Sequence, residues 1–572
     1  MMYTHNKIHT KKRLLEPKKV KLATVSGVVT TKPSLITYVD THLPMEVITT
    51  KSFQVFPNEG NREPIICEVE AGNFGNSVGL RNSGMKIALQ EIQELRKNHT
   101  FRALLNISLS ASTVEDFITL VGAFEEVADI LELNFSCPHA AKGFGSDIGT
   151  SVEISSMYMR EIKKAFPNCK ALIFPKLTPN VDNIGEIASS LIENGADGLV
   201  AINTVGPVIH IDPTSKQPIL QNALGGKGGK SGSWIFDRAL QCIKEIRQAV
   251  GDEIPIIGMG GVSHAHHASE MIASGANVVG VGSAFAKVNQ KMWKSYIEEL
   301  KSETQKRVDD PSIKEKHCIS YYNTDSSMSY HQRTIIKKEL LGNDTLLLTM
   351  DGRYDFSSGQ FIFVWLPGVG EKPFSVATVD PFTLIVKKRG AFTQALFALE
   401  EQDLLYVRGL YGSSVQTLST KKALLIAGGT GVAVLPSLAN KLHKEEVEVT
   451  TFVGTSNDMS NPFEKELQQY GTCTTINDDG VVARVLDVVN QHLSDVTDLG
   501  CYLVGPTAFM SKAAEMLVDK GVNKEHILLS LELNTMCGVG LCGECACGDR
   551  LTCQWGTFMS YDYILTHAKE LL

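Results

Sequence analysis

The sequence predicts an α/β chain: a (β/α)8 barrel, then a small antiparallel β-barrel, an α/β domain of nucleotide-binding type and a cysteine-rich C-terminal piece. Three observations predict it. From Leu22 to about Ala286, eight short apolar β-rich runs alternate with amphipathic helical stretches. Over residues 333–415 the texture changes to short alternating strands with turns between them. From Lys421 the strand–loop–helix order returns, and five cysteines crowd residues 537–553.

The eight runs are L-A-T-V-S, E-V-I-T-T-K, A-L-L-N-I-S, L-E-L-N-F-S-C, A-L-I-F-P-K, G-L-V-A-I-N-T, I-P-I-I-G-M-G and N-V-V-G-V-G. Strands alternating with helices mean a parallel sheet, and eight repeats suit a closed barrel. Polar or glycine residues finish every run: Ser26, Lys51, Ser108, Cys137, Lys176, Asn203, Gly260 and Gly282. A barrel gathers its active site at those C-terminal ends. The polar stretch 301–332 reads as a linker.

At 572 residues the chain has room for three or four domains at roughly 100–200 residues each. A hydrophobic fraction of 43% and a charged fraction of 21% are those of an ordinary soluble protein. The net charge of −8 argues against a general nucleic-acid binder. Twelve cysteines, seven of them scattered, are no disulfide framework and favour a reducing compartment. No apolar run approaches the roughly 18 residues that span a bilayer. Residues 1–21 are basic without an apolar signal core, so a Lys-rich solvated tail and a cytoplasmic location are expected.

In the first half, E-L-N-F-S-C-P-H ends the fourth run in Asn134, Ser136 and Cys137. A lone cysteine there is more often packing than chemistry. Its company is Lys51 in T-T-K-S, Asn76 in G-N-S-V-G-L-R-N, Lys176 in P-K-L-T-P-N, and Asn203 with Thr204 in A-I-N-T. Several amides converging with one thiol suit a flat, amide-rich ring such as a pyrimidine stacked on a flavin. Gly260 with Gly261, and Gly282 with Ser283, end the seventh and eighth runs, where barrels hold a phosphate. FMN fits there.

In the second half, A-L-L-I-A-G-G-T-G-V-A leads from a buried strand through Gly428, Gly429 and Gly431 into a helix. Glycine lets the backbone approach a pyrophosphate, and the helix N-terminus adds a positive dipole, although the same pattern serves ordinary tight turns. Further on, Y-L-V-G-P-T ends a second strand in Gly505 and Pro506. Upstream, K-P-F-S-V-A (Lys372, Pro373, Phe374, Ser375) and G-A-F-T (Gly390, Thr393) are spaced as a flavin clamp. Cys537, Cys542, Cys545 and Cys553 stand in C-G-V-G-L-C-G-E-C-A-C-G-D-R-L-T-C. The C-x4-C-x2-C spacing with a nearby fourth cysteine is the plant-type [2Fe–2S] pattern. The alternatives are a zinc site or a disulfide pair; zinc sites usually use two short C-x2–4-C hooks, and only one hook here is that short. Cys547 breaks the spacing and reads as a non-ligand.

On these motifs the first half resembles the class 1 dihydroorotate dehydrogenases. Residues 333–572 resemble the ferredoxin–NADP reductase superfamily, and most of all the electron-transfer subunit of the class 1B enzymes. The resemblance implies an FMN (β/α)8 barrel fused to a ferredoxin-reductase-like module. Its divisions are a basic tail (1–21), the FMN barrel (22–300), a linker (301–332), an FAD-binding β-barrel (333–420), an NAD-binding α/β domain (421–530) and a [2Fe–2S] domain (531–572). It implies FMN at Ser26, Gly27, Lys51, Lys176, Gly232, Gly260, Gly261, Gly282 and Ser283. Substrate falls at Asn76, Asn134, His139, Asn203 and Thr204, with Cys137 as catalytic base and Lys51 favouring its thiolate. FAD falls at Lys372, Pro373, Phe374, Ser375, Gly390 and Thr393, and NAD(H) over Gly428, Gly429, Gly431, Gly505 and Pro506. The four cysteines hold the cluster. Relatives pair through the barrel, which implies a homodimer. The implied activity is oxidation of (S)-dihydroorotate to orotate in pyrimidine biosynthesis, with electrons passing through [2Fe–2S] and FAD to NAD+.

The chain departs from the family pattern at three places. The flavin motif has Lys372 where the family has arginine, and lysine lacks the planar bidentate fork. The family's N-x-S-C-P-N reads Asn134-Phe135-Ser136-Cys137-Pro138-His139, and C-P-H is the reading of dihydropyrimidine dehydrogenases, whose substrates carry no carboxylate. Its G-T-D-P loop reads Gly145-Ser146-Asp147-Ile148. The alternatives are therefore an NAD(P)H-dependent uracil or thymine reductase, a non-catalytic electron-transfer scaffold and a tRNA dihydrouridine synthase. The acidic balance and the C-terminal module weigh against the last.

Overall fold

Eight parallel strands close into a barrel in sequence order: Leu22–Thr24, Val47–Thr49, Leu104–Leu109, Ile130–Asn134, Leu172–Lys176, Leu199–Ala201, Ile256–Met259 and Val278–Val281. The structure is a computed structural model that describes residues 7–135, 148–314, 319–326, 328–456, 459–477 and 484–572. Each strand falls on one of the eight apolar runs. They are apolar throughout because helices cover the outside of a parallel barrel while side chains fill its interior. Val114–Phe124 shows how a covering helix is specified. The Thr113 hydroxyl accepts the Asp116 amide at its start, and Phe117, Leu120, Val121 and Phe124 bury one face.

The chain divides into two units, Met1–Ser326 with Val539–Gly543, and Ser327–Gly538 with Glu544–Leu572. Within the first, the expected solvated tail contains a helix, Lys7–Leu15. Leu14 is 1% exposed and joins a core cluster with Val47, Leu104, Ile130 and Leu172 near the strand starts. Apolar side chains there need a cover, and one leucine of the basic segment supplies it. The expected boundary at residue 300 lies inside the helix Trp293–Asp309, which buries Leu300, Thr304 and Arg307. The last barrel helix thus runs well into the stretch read as a linker.

A four-stranded antiparallel sheet, in the order Ile66–Glu70, Asn73–Asn76, Lys227–Gly232, Val205–Ile209, is inserted after the second and sixth barrel strands. The Lys287 ammonium donates to Glu68 at 2.7 Å with both side chains buried, tying this sheet to the turn after the eighth strand.

In the second unit, a seven-stranded antiparallel sheet runs Gly370–Ser375, Phe361–Leu366, Leu404–Tyr411, His331–Leu340, Thr345–Met350, Phe382–Lys387, Thr378–Val379. Its first strand also packs against Phe382–Lys387, curling the sheet around Ile335, Leu346, Ile362, Val364 and Leu384. A second sheet runs Gly471–Asn477, Glu448–Thr455, Lys422–Gly428, Leu499–Val504, Ile527–Ser530, Phe558–Ser560. Five of its strands are parallel, and Phe558–Ser560 pairs antiparallel with Ile527–Ser530. That edge strand comes from the stretch expected to be a separate cysteine domain. Cys547, Met559, Tyr561 and Ile564 share one core with Leu424, Leu503 and Leu529. Forty residues bury too little surface for an independent core, which explains the merger.

Candidate functional site

At the fourth and fifth barrel strands the register sets Asn134 beside Lys176. The Lys176 ammonium, 3% exposed, donates to Ser26 Oγ at 2.8 Å and lies 3.4 Å from the fully buried Glu132 carboxylate. Glu132 also accepts from the Ser108 hydroxyl at 2.9 Å, Ser108 bonds Ser52 at 2.8 Å, and the Asn134 amide reaches Ser52 at 3.4 Å. One polar network therefore joins the ends of five strands inside an apolar barrel. Lys176 and Glu132 neutralise each other there, because either charge alone would be costly to bury. Sequence reading missed Glu132, although a carboxylate between Leu131 and Leu133 in a buried run was a visible signal.

Two of the expected FMN glycines, Gly232 and Gly261, are brought together. Gly261, at φ +74°, would set a Cβ 2.8 Å from the Gly232 carbonyl. Gly232, at φ +99°, would set one 2.1 Å from the Gly72 carbonyl. Gly260 and Gly27 also have positive φ, and Gly282 leads into the short helical turn Ser283–Lys287. Backbone this close leaves amides rather than side chains at the surface, the donor set that suits a phosphate. Gly232→Ala is expected to cost at least about 1–3 kcal/mol from the backbone conformation alone, with the clash adding to it. Gly225→Ala, with positive φ but nothing within 4 Å, is the control. Thermal melts that lower Gly232→Ala no more than the control would remove this reading.

Asn76 is held within the inserted sheet, its amide 3.4 Å from both the Gly229 carbonyl and Ser231 Oγ. Asn203 accepts the Thr204 amide at 2.8 Å, and its own amide donates to the Leu177 carbonyl, next to Lys176. The Thr204 hydroxyl is buried without a protein partner among the described residues, and such an atom fits a polar ligand. Lys51 follows the second strand and is half-buried. Cys137, His139, Gly145, Ser146 and Asp147 lie outside the described residues. Cys169 and Cys242 of the same unit are buried, which pushes both thiols up to about 11.

In the second unit a cavity of ≈ 380 Å³ is lined by Lys372, Pro373, Phe374, Ser375, Thr393 and Gly431. Phe361, Lys387 and Arg389 line it too, as does the chain at 530–535. Thr393 accepts the Arg389 and Gly390 amides and so caps the helix Ala391–Ala398. Aromatic walls with three cations fit a flavin bearing phosphates. Arg389, which the sequence reading passed over, brings a guanidinium to the lining of the same cavity.

Gly428 and Gly505 meet at a different place. The second sheet reverses its strand order between Lys422–Gly428 and Leu499–Val504, and ligands of open α/β sheets bind at such a switch. A Cβ on Gly505 would stand 3.2 Å from the Gly428 amide, Phe509 packs against both, and Gly429 has φ +57° with open space beside it. Pro506 precedes the helix Thr507–Asp519. After Gly428 the chain enters a 3-10 turn, Gly429–Val434, before the helix Leu435–Lys444. Gly390, Gly428, Gly429, Gly505 and Pro506 are not among the cavity's lining residues.

Three of the four motif cysteines converge. The Cys553 thiol hydrogen-bonds both Cys537 and Cys545. The bond to Cys553 holds the Cys545 thiol below its ordinary range, while bonds to Cys537 and Cys545 push Cys553 well above it. Cys542 is buried and falls in the stretch Val539–Gly543 counted with the first unit. Among the described residues no three His, Cys, Asp or Glu surround one point as ligands of a single ion would. A two-iron cluster asks only two thiolates of each iron, and converging buried thiols fit that demand. Cys547 instead packs in the hydrophobic core, its carbonyl taking the Tyr563 hydroxyl at 3.1 Å.

Beside Cys537 lies a buried charged group that sequence reading did not find. Arg408 donates to both Glu371 oxygens, at 2.7 and 2.6 Å, to Tyr411 Oη at 2.6 Å and to the Cys537 carbonyl at 3.0 Å. Burial opposes its charge most strongly, yet Glu371, Tyr411 and Tyr330 outweigh burial and lift its pKa above the ordinary value.

A family model described as dihydroorotate dehydrogenase matches residues 22–304. The catalytic subunit of dihydroorotate dehydrogenase B (NAD(+)) from Methanocaldococcus jannaschii is 38% identical over 254 residues, 44% of this chain and 79% of that protein. The same subunit from Methanothermobacter thermautotrophicus is 38% identical over 237 residues, 41% of this chain and 74% of its own. A chain from the solved structure of an NADH-dependent reduced ferredoxin-NADP oxidoreductase aligns at a TM-score of 0.36 and 24% identity. It covers 42% of this chain and 93% of its own.

Proposed function

The chain belongs to the dihydroorotate dehydrogenase family through residues 22–304, and from that premise we propose that it oxidises (S)-dihydroorotate to orotate and passes the electrons to NAD+. The observation that carries the reading is one of composition within a single chain. The family's barrel, with Lys176, Ser26 and the Gly232–Gly261 cradle, is continuous with a unit holding a cation-lined aromatic cavity and converging thiols. FMN held at the barrel by Ser26, Lys176 and the Gly232–Gly261 cradle would supply a hydride acceptor for C6 of the substrate, and FAD with a [2Fe–2S] cluster in the second unit would supply a route for the electrons to NAD+.

The chain's own residues do the rest. Cys137, as thiolate, removes the C5 proton; a thiol of reference pKa about 8.5 needs a nearby cation to ionise near neutrality, and Lys51 is assigned that part. Lys176 presents a fixed positive charge, oriented by Ser26 and balanced by Glu132. Asn76, Asn134, Asn203 and the unpartnered Thr204 hydroxyl supply donors and acceptors for the amide edges of the pyrimidine. In the second unit Lys372, Lys387 and Arg389 meet phosphate charge, and Phe361 and Phe374 flank a flat ring. Gly428 and Gly505 form the crevice for NAD(H).

Anaerobic titration with dihydroorotate, dihydrouracil and dihydrothymine, followed by visible spectra, tests the assignment. Rapid flavin bleaching by dihydroorotate alone is expected; no bleaching by any free pyrimidine would overturn it.

A second reading, reduction of uracil or thymine, is favoured by one observation, the C-P-H sequence at Cys137-Pro138-His139. A protonated His139 can hold the orotate carboxylate through a charge-assisted bond. With a reference pKa near 6.5, that contact weakens as pH rises through neutrality, so KM for dihydroorotate is expected to rise. His139→Asn restores the family residue and is expected to preserve or improve dihydroorotate turnover. Selective loss of uracil turnover in that variant would transfer the assignment to the second reading.

A further inference from the structure

We propose that Arg408, held by Glu371, is a positioning residue that raises the reduction potential of the cluster assigned to the four motif cysteines. The inference rests on that cluster reading. Arg408 and Glu371 are both buried, on the two strands that flank Phe361–Leu366 in the seven-stranded sheet. Nε and Nη2 face Glu371, while Nη1 faces Tyr411 and the Cys537 carbonyl. The Phe363 ring lies 4.1 Å from the guanidinium carbon, and the Tyr330 hydroxyl completes Glu371 at 2.6 Å. The pair is thus an oriented dipole, its positive end toward Cys537 and its carboxylate on the far side.

Stability alone gives little reason for such a pair, since well-packed apolar side chains of similar volume are often as stable as a buried ion pair. Its contacts point to the cluster instead. Gly538, at φ +81°, would set a Cβ 3.0 Å from both Phe363 and Tyr411, so these rings press directly on the peptide that follows Cys537. The carbonyls of the other two converging cysteines take neutral donors. Cys545 accepts the Thr552 amide at 3.1 Å and its hydroxyl at 3.2 Å, and Cys553 accepts the Gly412 amide at 2.9 Å. Cys537 takes a charged one. Reduction adds one negative charge to the cluster, and a desolvated cation beside a ligand favours that state. Glu371 directly precedes Lys372 of the flavin motif, so the dipole is built on the strand that lines the flavin cavity.

The test uses the full chain, with iron and acid-labile sulfide content measured first and an EPR-monitored redox titration second. Arg408→Gln is expected to lower the midpoint potential, shifting the reduction equilibrium at least tenfold, about 59 mV for one electron. Glu371→Gln leaves the cation uncompensated and is expected to raise it. Arg408→Lys keeps the charge and is expected to lie nearer wild type than Arg408→Gln. The double variant Arg408→Gln/Glu371→Gln removes both buried charges together. It is expected to fall below wild type by less than Arg408→Gln, because the lost positive end is the nearer one. Shifts of the same sign in the two single variants, or an unmoved potential in Arg408→Gln, overturn the proposal. If the single variants lose iron, the double variant decides, and a potential equal to or above wild type overturns it. A wild-type protein without iron and sulfide overturns the cluster reading and the proposal with it. A wild-type cluster with unshifted variants overturns the proposal alone.

Discussion

Cys545→Ser is expected to abolish the iron–sulfur absorbance and to separate the two half-reactions. Cys545 is buried, hydrogen-bonded to Cys553, and holds its thiol below the ordinary range. A lowered thiol pKa favours the thiolate, which is the ligating form. A serine hydroxyl in that place is far less acidic. Dihydroorotate should still bleach flavin at the barrel, because Ser26, Lys176 and the glycine cradle are untouched. NAD+ reduction should fall to background. Cys547→Ser is the matched control: Cys547 lies in the core beside Tyr561 and Ile564, so its loss is expected to cost some stability and no absorbance. A full iron–sulfur spectrum with undiminished NAD+ reduction in Cys545→Ser would end the ligand assignment.

Cys137→Ser is expected to slow flavin reduction by dihydroorotate about 10²–10⁴-fold near neutral pH, the usual worth of a positioned general base. The base acts deprotonated. Serine's hydroxyl ionises several pH units above a thiol, so its active fraction at neutrality is smaller and grows about tenfold with each pH unit. Rates in the variant should therefore climb with pH across the range where the wild-type rate has levelled. The other described thiols cannot stand in. Burial pushes Cys169 and Cys242 up to about 11, leaving them protonated and packed. Stopped-flow absorbance at several pH values reads the outcome, and a wild-type rate with a flat profile would remove Cys137 from the chemistry.

Much of the site was legible in the sequence wherever one short segment carries its own chemistry. Lys176 and Asn134 end apolar runs, and the barrel register sets them side by side. Gly232 and Gly261 are both expected FMN positions, and their backbones meet. Lys372–Ser375 and Thr393, expected as a flavin clamp, line one cavity. Residues whose meaning lies in a distant partner were not legible. Glu132 looks like an interruption until Lys176 and Ser108 are seen around it. Arg389 is one of the basic residues in K-K-R-G until it is seen to line the same cavity as Lys372. Arg408 and Glu371 are 37 positions apart, and neither announces the other.

The sequence by itself determined the barrel, the two later sheets, the glycine turns at strand ends and the cysteine spacing. Each is written as a local period of two or 3.6 residues, or as a backbone conformation that only glycine adopts readily. Tertiary structure alone decided that Lys7–Leu15 is a helix covering apolar side chains, that residues 66–76 and 205–232 pair into one sheet, and that Phe558–Ser560 completes another. It alone decided which buried charges are neutralised. Burial of surface and pairing of charge are properties of segments brought together from far apart, and no window along the chain contains both partners.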